Sequence, residues 1–425
     1  MSTYAQDRIG LVANQLATVR VPSGRDKLLQ KNPGDIRGKV ITLAIRTPLT
    51  KARKGGLKDT TLDDLLIALL KNVQEKSKLD PSLVEEACVG NVLASGPAYI
   101  ARSAFLAAGF PVTTVVSVSN RFCSSGLLAI QNIANQIVAG AIDVGLAVGA
   151  ESMSSNPDPG APRLSFSVTN DPLASQIQQP MGQTSENVAK DFHITRAAMD
   201  DFAASSFQKA EHAQKSGWFD DEIVPIAVTR REPNTGHSLE RVISKDDGIR
   251  YGTTTESLGK IRAAFPQWEP SHTTGGNASQ ITDGAAAILL MKRSRAMQLG
   301  QPIVGKFAGA TAVGLEPRVM GIGPALAIPK ILGRLSLATD DVDVFEINEA
   351  FASMAVYCVQ ELGLDAAKVN PRGGAIALGH PLGCTGARQV VTALSELRRS
   401  DKRIACTSMC VGTGMGMAGV LVSEH

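Results

Sequence analysis

Short apolar runs recur along the first part of the chain at spacings typical of β-strands. They cover residues 40–45, 87–92 and 115–118 and are rich in β-branched side chains. Residues 143–149 form a further apolar run in which polar positions do not alternate, so we expect a strand buried on both faces. These four runs predict the strands of one sheet.

Amphipathic segments separate these runs. Leucine and valine recur every three or four residues over 62–73, which predicts a helix that begins near Thr61. A second helix is expected over 98–108, and a third over 127–138 with Gly140 as its end. Strands that alternate with helices indicate an α/β fold with a parallel or mixed sheet.

A second series of the same kind occupies the last third of the chain. Its order of glycine-containing loop, helix and buried strand repeats the order around Cys123, which indicates an internal duplication. Such a duplication places the helix-entry loops at Cys123 and His380 at the same end of the molecule. The elements expected here are a strand at 341–347, a helix at 349–362, a helix at 383–397 and a strand at 403–408.

Between the two series, residues 156–274 are richer in proline, glycine and charge, with polar helical pieces over 186–216. We interpret this part as a loop-rich excursion, after which a strand at 285–291 closes the first series. The expected organisation is an N-terminal segment (1–35), a half-domain (36–155 with 275–298), a loop domain (156–274) and a second half-domain (299–425).

The segment 404–423 carries no charge over a length that could span a bilayer. Its glycines, cysteines and hydroxyl side chains are more typical of a hairpin. We therefore predict two buried strands joined by a glycine turn, and no membrane span.

Composition limits the classes of function. The 425 residues are 44% hydrophobic and only 4% aromatic, so the core is expected to consist of alanine and branched aliphatic side chains. A net charge of +3 without clustered basic residues argues against a nucleic-acid partner. Six scattered cysteines, with no secretory leader before them, indicate reduced thiols inside a cell.

The first residues contain a sequence similar to a targeting signal. Arg8 and Ile9, five residues, and then Gln15 and Leu16 resemble the type-2 peroxisomal targeting signal, which an import receptor binds. The alternative is an ordinary frayed N-terminal helix.

Cys123 stands where the strand at 115–118 passes into the helix at 127–138. The positive end of a helix dipole and its unpaired N–H groups favour the thiolate, which is the nucleophilic form of a thiol with a free pKa of roughly 8.5. The alternative is a small buried apolar side chain. The sequence around Cys123 leaves both interpretations open.

Three further residues have chemistry suited to partner a thiol. His380 lies in a glycine-lined loop before a helix and could accept a thiol proton, although a lone histidine often only satisfies a buried carbonyl. Asn348 follows a buried strand, where it could face an active site or cap a helix. Cys410 offers a second thiol, followed by glycines that let backbone N–H groups approach a ligand.

Together these motifs resemble those of the thiolase family, and the resemblance extends from about residue 40 to the C-terminus. It implies a thiolase-like α/β fold, in which two duplicated βαβαβαββ half-domains pack in αβαβα layers and carry an inserted loop domain. The motifs are Asn120-Arg121-Phe122-Cys123-Ser124-Ser125-Gly126, Gly149-Ala150-Glu151-Ser152-Met153-Ser154, Met181-Gly182-Gln183-Thr184-Ser185-Glu186-Asn187, Gly276-Asn277-Ala278-Ser279, Asn348-Glu349-Ala350-Phe351, Gly379-His380-Pro381 and Cys410-Val411-Gly412-Thr413-Gly414.

The resemblance implies a role for each catalytic candidate. Cys123 would take the acyl group as a thioester. His380 would deprotonate Cys123 and help polarise the thioester oxygen of the substrate. Cys410 would protonate the leaving acetyl-CoA enolate and deprotonate the incoming CoA thiol. Asn348 would hold a water in one oxyanion site, and the N–H groups of Cys123 and Gly412 would form the other. Two thiols and one imidazole meet these needs without a metal.

The resemblance also implies coenzyme A as co-substrate, with no permanently bound cofactor. The residues that match family positions in contact with CoA are Arg250, Ser257, Ala264, Phe265 and Ser279. Met181 and Phe351 match positions that line the acyl pocket.

The function expected from the resemblance is thiolytic cleavage of 3-ketoacyl-CoA in fatty-acid β-oxidation. Pro180 before Met181 is similar to the peroxisomal, broad-chain-length branch, whereas the acetoacetyl-CoA branch carries histidine there. Alternatives are a biosynthetic acetoacetyl-CoA thiolase and a non-catalytic acyl-CoA or lipid carrier; a ketoacyl synthase lacks the second cysteine. We expect a peroxisomal homodimer.

Overall fold

The computed structural model describes residues 23–30, 38–231 and 238–424. The targeting motif that begins at Arg8 lies outside these residues. Twelve strands occur in the described part of the chain, at β1 Lys39–Arg46, β2 Thr50–Lys51, β3 Glu86–Gly90, β4 Val115–Ser119, β5 Val144–Ser152, β6 Ile226–Arg231, β7 Ser238–Ile243, β8 Thr282–Lys292, β9 Gly305–Gly314, β10 Val344–Ile347, β11 Ile404–Val411 and β12 Met415–Ser423.

Ten of the strands form one mixed sheet in the order β10-β11-β12-β9-β1-β8-β5-β3-β4, with β2 added to β8, and β6 pairs only with β7. The order β3-β5-β8-β1 repeats as β10-β11-β12-β9, and the pairings are parallel, antiparallel and antiparallel in both sets. A short pairing of β1 with β9 joins the two sets. The chain therefore contains the same strand arrangement twice, as the sequence predicted.

Thirteen helices accompany these strands in the described residues. They are α1 Gly24–Leu29, α2 Leu62–Ser77, α3 Pro97–Ala107, α4 Ser125–Ala139, α5 Phe166–Thr169, α6 Met181–Asp191, α7 Arg196–Lys215, α8 Thr255–Gly259, α9 Arg293–Gln298, α10 Gly323–Arg334, α11 Ala352–Glu361, α12 Ala375–Leu378 and α13 Leu382–Arg399.

Helices α4 and α13 pack against each other and against both sets of strands, so they form the central layer. Helices α2 and α3 cover the outer face of the first set, and α10 covers the outer face of the second. Alternate residues of β8 face opposite cores: Ile288 contributes to the central core and Leu289 to the outer one. Burial on both faces explains why these strands are apolar without alternation.

Most predicted elements are present, with shifted ends. Helix α4 ends at Gly140, whose φ of 79° is the left-handed conformation that stops a helix at low cost. The segment 404–423 is a hairpin of two buried strands, and no described helix has the length and apolar character to cross a membrane. The polar helical pieces expected over 186–216 are α6 and α7, and the chain breaks between them, where His193 has a φ of 56°.

Helix α1 lies within the predicted N-terminal segment and packs on the second half of the chain. Ser23 caps its first turn, and Leu28 and Leu29 contact the outer core below α10. The Arg25 guanidinium lies 3.2 Å from the Asp343 carboxylate. This helix is thus held by both apolar and ionic contacts.

Five buried charged residues join the excursion to both halves of the sheet. Arg46 of β1 lies 2.7 Å from Glu222 and 2.8 Å from Asp246, which both belong to the excursion. Arg372, before α12, bonds the same Glu222 at 3.1 Å and Glu396 of α13 at 2.8 Å. All five side chains are at most 2% exposed. Because water does not reach them, each charge is stabilised by its ion-pair partners instead.

We predict that Glu222→Gln destabilises the protein by about 3–5 kcal/mol, because it leaves two buried guanidinium groups short of a partner. The shift in the urea midpoint of unfolding measures this effect. Glu256→Gln is the control, since its pair with Lys260 has side chains 81% and 72% exposed and is expected to contribute less than about 1 kcal/mol. Equal midpoints for both variants would contradict the prediction.

Candidate active site

Cys123 lies in a tight turn between β4 and α4. The Asn120 side chain accepts a hydrogen bond from the Phe122 N–H at 3.0 Å, and the Ser125 hydroxyl accepts one from the Arg121 N–H at 2.9 Å. The Ser125 hydroxyl also donates to the Phe122 carbonyl at 2.7 Å. Short polar side chains at both ends of the turn therefore fix the backbone that carries Cys123.

Phe122, directly before this cysteine, has a φ of 45°, which is a costly conformation for a bulky side chain. A Cβ added at Gly412 would lie 3.5 Å from the Phe122 ring, so the loop at 412 packs against this residue. The strained turn brings Cys123 beside the hairpin between β11 and β12.

The Cys123 side chain is buried, with 8% of the residue exposed. The backbone N–H groups of Gly412 and of Cys123 itself lie near enough to the sulfur to lower its pKa. Burial nevertheless raises the pKa of Cys123 to about 11, because the loss of hydration outweighs these two donors. The N–H groups at the helix start therefore do favour the thiolate, but burial outweighs them and leaves the pKa above its ordinary value.

Cys410 lies near the end of β11, before a turn in which Thr413 and Gly414 have φ of 70° and 90°. Its sulfur is 4.0 Å from the sulfur of Met354 and is buried in a small apolar cluster. Burial raises the pKa of Cys410 well above its ordinary value, and Cys123 is near enough to raise it further. The two thiols thus share one desolvated site.

His380 is held on both sides of its ring. Its Nδ1 lies 2.6 Å from the Thr385 hydroxyl, and its Nε2 lies 3.3 Å from Nδ2 of Asn348. Its backbone N–H donates to the carbonyl of Gln280 at 2.9 Å. Burial, followed by the positive charge of Arg388, lowers the pKa of His380 to about 3, so the imidazole is neutral at physiological pH.

Asn348 follows the last residue of β10 and is 2% exposed. Helix α11 begins only at Ala352 with Phe351 as its N-cap, so the alternative role of Asn348 as a cap is wrong. Its amide Oδ1 is buried and has no hydrogen-bond partner among the described residues. A buried amide oxygen without a partner is typical of a site that receives a further polar group.

The first turns of α4 and α13 are in direct backbone contact. A Cβ at Gly126 would lie 2.8 Å from the carbonyl of Gly383, and one at Gly386 would lie 2.5 Å from the N atom of Leu127. Only glycine permits this approach. The contact confirms that the loops at Cys123 and His380 lie at the same end of the molecule.

Two buried carboxylates, whose roles the sequence did not indicate, support these loops. Glu151, at the end of β5, accepts hydrogen bonds from the N–H groups of Val92, Leu93 and Gly383, and burial raises its pKa to about 7. It therefore attaches the first turn of α13 to the first half of the sheet.

Glu349 accepts from Ser206 and Asn370, both at 2.7 Å, and from the N–H of Ile376 at 3.1 Å. It connects the Asn348 loop to the loop before His380. The signal available in the sequence was a carboxylate inside a largely apolar motif. The hydroxyl of Thr385, five residues after His380, gave no such signal.

The residues expected to contact CoA and acyl groups lie in loops or in the first turns of helices α6 and α8. Phe265 packs against Gly182, next to Met181, and its ring centroid is 5.2 Å from that of Trp268. The N–H of Ser279 bonds the carbonyl of Ala350 at 3.0 Å, beside Phe351.

The remaining three expected residues make local contacts. Arg250 donates to the carbonyl of Gly275 at 3.0 Å. The Ala264 N–H donates to the carbonyl of Thr273 at 2.8 Å. Ser257 lies in the capping box that starts α8.

Two family models match this chain. One, described as thiolase, N-terminal domain, matches residues 39–294, and the other, described as thiolase, C-terminal domain, matches residues 301–423. A peroxisomal 3-ketoacyl-CoA thiolase of Yarrowia lipolytica is 50% identical over 420 residues, which is 98% of this chain and 100% of the relative.

Solved structures give the same result. The dimeric peroxisomal thiolase of Saccharomyces cerevisiae is 46% identical, with a TM-score of 0.86 over 94% of this chain and 100% of that one. Human mitochondrial 3-ketoacyl-CoA thiolase in complex with CoA is 34% identical, with a TM-score of 0.81 over 92% of this chain and 98% of that one. These similarities confirm the predicted layered α/β fold.

The pKa of about 11 predicts how Cys123 reacts with an alkylating reagent. Because only the thiolate reacts, its alkylation by iodoacetamide is expected to rise about tenfold per pH unit up to pH 10. The alkylation rate of free glutathione, measured in parallel, should level off near the lower pKa of its own thiol. Peptide mass spectrometry measures the rate at Cys123, and a plateau below pH 9 would show that the thiolate is stabilised after all.

Proposed function

The chain belongs to the thiolase family, and from this premise we propose that it is a peroxisomal 3-ketoacyl-CoA thiolase of fatty-acid β-oxidation. It is an acyltransferase that uses CoA to cleave 3-ketoacyl-CoA into acetyl-CoA and a shortened acyl-CoA. The observation that carries the proposal is the pair of neighbouring buried thiols, Cys123 and Cys410, together with a neutral His380 imidazole on the loop whose helix packs against the helix after Cys123.

In the first step Cys123 attacks the 3-keto carbon of the substrate and passes its proton to Nε2 of His380. The ketone oxygen becomes an oxyanion, which the N–H groups of Cys123 and Gly412 bind. Both N–H groups are near enough to the Cys123 sulfur to lower its pKa, which supports a role as donors beside the carbon that it attacks. No charge needs to exist before the substrate arrives.

Collapse of this intermediate breaks the bond between the second and third carbons. The acyl group remains on Cys123 as a thioester, and acetyl-CoA leaves as an enolate. Asn348, through a bound water, and His380 stabilise the enolate oxygen, and the buried, unpartnered Oδ1 of Asn348 is consistent with such a water. Cys410 gives its proton to the α-carbon of the enolate.

In the second step the Cys410 thiolate takes the proton of the incoming CoA thiol. The CoA sulfur then attacks the acyl-cysteine carbonyl, the same two N–H groups bind the oxyanion, and Cys123 leaves. Its sulfur recovers the proton held by His380. The raised pKa of Cys410 supports this role, because a strongly basic thiolate removes a thiol proton readily.

Coenzyme A is the co-substrate, and we assign its binding to residues 156–274 as a loop domain between two thiolase half-domains, 36–155 with 275–298 and 299–425. Arg250, Ser257, Ala264, Phe265 and Ser279 contact CoA, and Met181 and Phe351 line the acyl pocket. In support, Met181 is 37% exposed beside Phe265, although it is a large apolar side chain.

The enzyme acts in the peroxisome as a homodimer. The targeting motif at Arg8 recruits an import receptor, and the named location of the relatives supports this assignment. Among the described residues β4 pairs only with β3, and Val115 on it is 55% exposed. A strand at the edge of a sheet, with one side unpaired and an apolar side chain exposed, is suited to pair with a second copy.

Cys123→Ala is expected to lower the kcat of thiolysis by about 10⁴-fold or more, because no other group can carry the acyl chain. His380→Ala and Cys410→Ala should also show large losses. Cys406→Ala is the matched control. Like Cys410, Cys406 is buried in β11, but it has no assigned role. CoA-dependent cleavage by Cys123→Ala at the wild-type rate would overturn the mechanism.

A series of 3-ketoacyl-CoA substrates from four to sixteen carbons tests the assigned branch. We expect kcat/KM to remain high or to rise with chain length, because Pro180 and Met181 resemble the broad-chain-length branch. Activity confined to the four-carbon substrate would instead indicate an acetoacetyl-CoA thiolase.

A further inference from the structure

Thr385 lies in the first turn of α13 and is fully buried. Its hydroxyl makes two short contacts, at 2.6 Å to Nδ1 of His380 and at 3.1 Å to the carbonyl of Pro381. The substrate-facing groups described above do not include it. Its contacts nevertheless determine which nitrogen of His380 carries the ring proton.

A hydroxyl has a single proton to donate, whereas a carbonyl oxygen can only accept. Threonine within a helix commonly donates to the carbonyl four residues earlier, which here is that of Pro381. The Thr385 oxygen is then left as an acceptor toward His380. The 2.6 Å contact therefore requires a proton on Nδ1 of the ring.

The other side of the ring fits the same arrangement. With the proton on Nδ1, Nε2 carries a lone pair, and the Asn348 amide at 3.3 Å can donate an N–H to it. The amide oxygen of Asn348 is then directed away from the ring, in agreement with its lack of a partner among the described residues. Both neighbours of the imidazole are thus satisfied by one tautomer.

We propose that Thr385 is a positioning residue that fixes His380 as the Nδ1–H tautomer and so keeps Nε2 unprotonated, in the form that can accept the proton of Cys123. The proposal rests on the proposed function of His380 as the base for Cys123. A hydroxyl serves differently from a carboxylate in this position, because it orients the ring without a negative charge that would stabilise the imidazolium. The histidine is thereby oriented and remains neutral.

Two variants separate the hydrogen bond from the packing of residue 385. Thr385→Val keeps the shape and removes the hydroxyl, whereas Thr385→Ser keeps the hydroxyl and removes a methyl group. We expect the valine variant to lose about 10- to 100-fold in kcat with KM changed less than about threefold, the loss typical when the hydrogen-bond partner of a metal-binding histidine is removed. The serine variant should stay within about threefold of wild type. Wild-type kcat in the valine variant, or equal losses in both, would overturn the proposal.

A ¹⁵N spectrum of the resting enzyme with labelled histidines tests the tautomer without turnover. The His380 signals are assigned by their loss in His380→Ala. We expect a protonated Nδ1 and an unprotonated Nε2 in wild type, and a mixture or the opposite tautomer in Thr385→Val. A protonated Nε2 in wild type would overturn the proposal even if the valine variant failed to fold. Failure of the proposed function would appear instead as activity in Cys123→Ala, with the spectrum unchanged.

Discussion

The free-energy cost of burying charged side chains away from water constrains the architecture of this protein. Arg46 and Arg372 share Glu222 in an almost fully buried cluster, and these three residues come from the first strand, the second half and the excursion. A buried ion without its partner costs several kcal/mol, so the excursion cannot separate at its base while the two halves remain folded. The loops further from the cluster can then vary in conformation without loss of this attachment.

The same physical effect determines the chemistry of the active site. Burial raises the pKa of Cys123 to about 11 and lowers that of His380 to about 3, so the resting pair carries no charge. In the proposed mechanism, charge develops only when the substrate supplies an oxyanion, which the N–H groups of Cys123 and Gly412 bind. The enzyme thereby avoids a permanently reactive thiolate in the absence of substrate.

Local patterns were sufficient to predict much of this structure. Apolar periodicity located the strands and helices, Gly140 marked the end of α4, and the repeated order of elements matches the repeated strand arrangement in the sheet. The motifs around Cys123, Asn348, His380 and Cys410 selected residues that the fold brings to one end of the molecule.

Properties that depend on distant parts of the chain were not predictable in this way. The balance between helix dipole and desolvation at Cys123 depends on how much protein surrounds the sulfur. The contact between Thr385 and His380 depends on side-chain direction in the first turn of α13. Helix α1 is amphipathic over too few residues for its packing surface to be recognised, and that surface belongs to the other end of the chain.

The glycine contact between α4 and α13 has a consequence for enzyme engineering. Because Gly126 and Gly383 bring two backbones together, the distance between the thiol and the imidazole is set by a contact that no side-chain repacking can adjust. Directed evolution toward bulkier acyl chains would therefore have to act on the pocket walls, and screening effort at these glycines would be wasted. The same rigidity makes helices α4 and α13 a suitable scaffold for the design of an enzyme that catalyses a different reaction of activated thioesters.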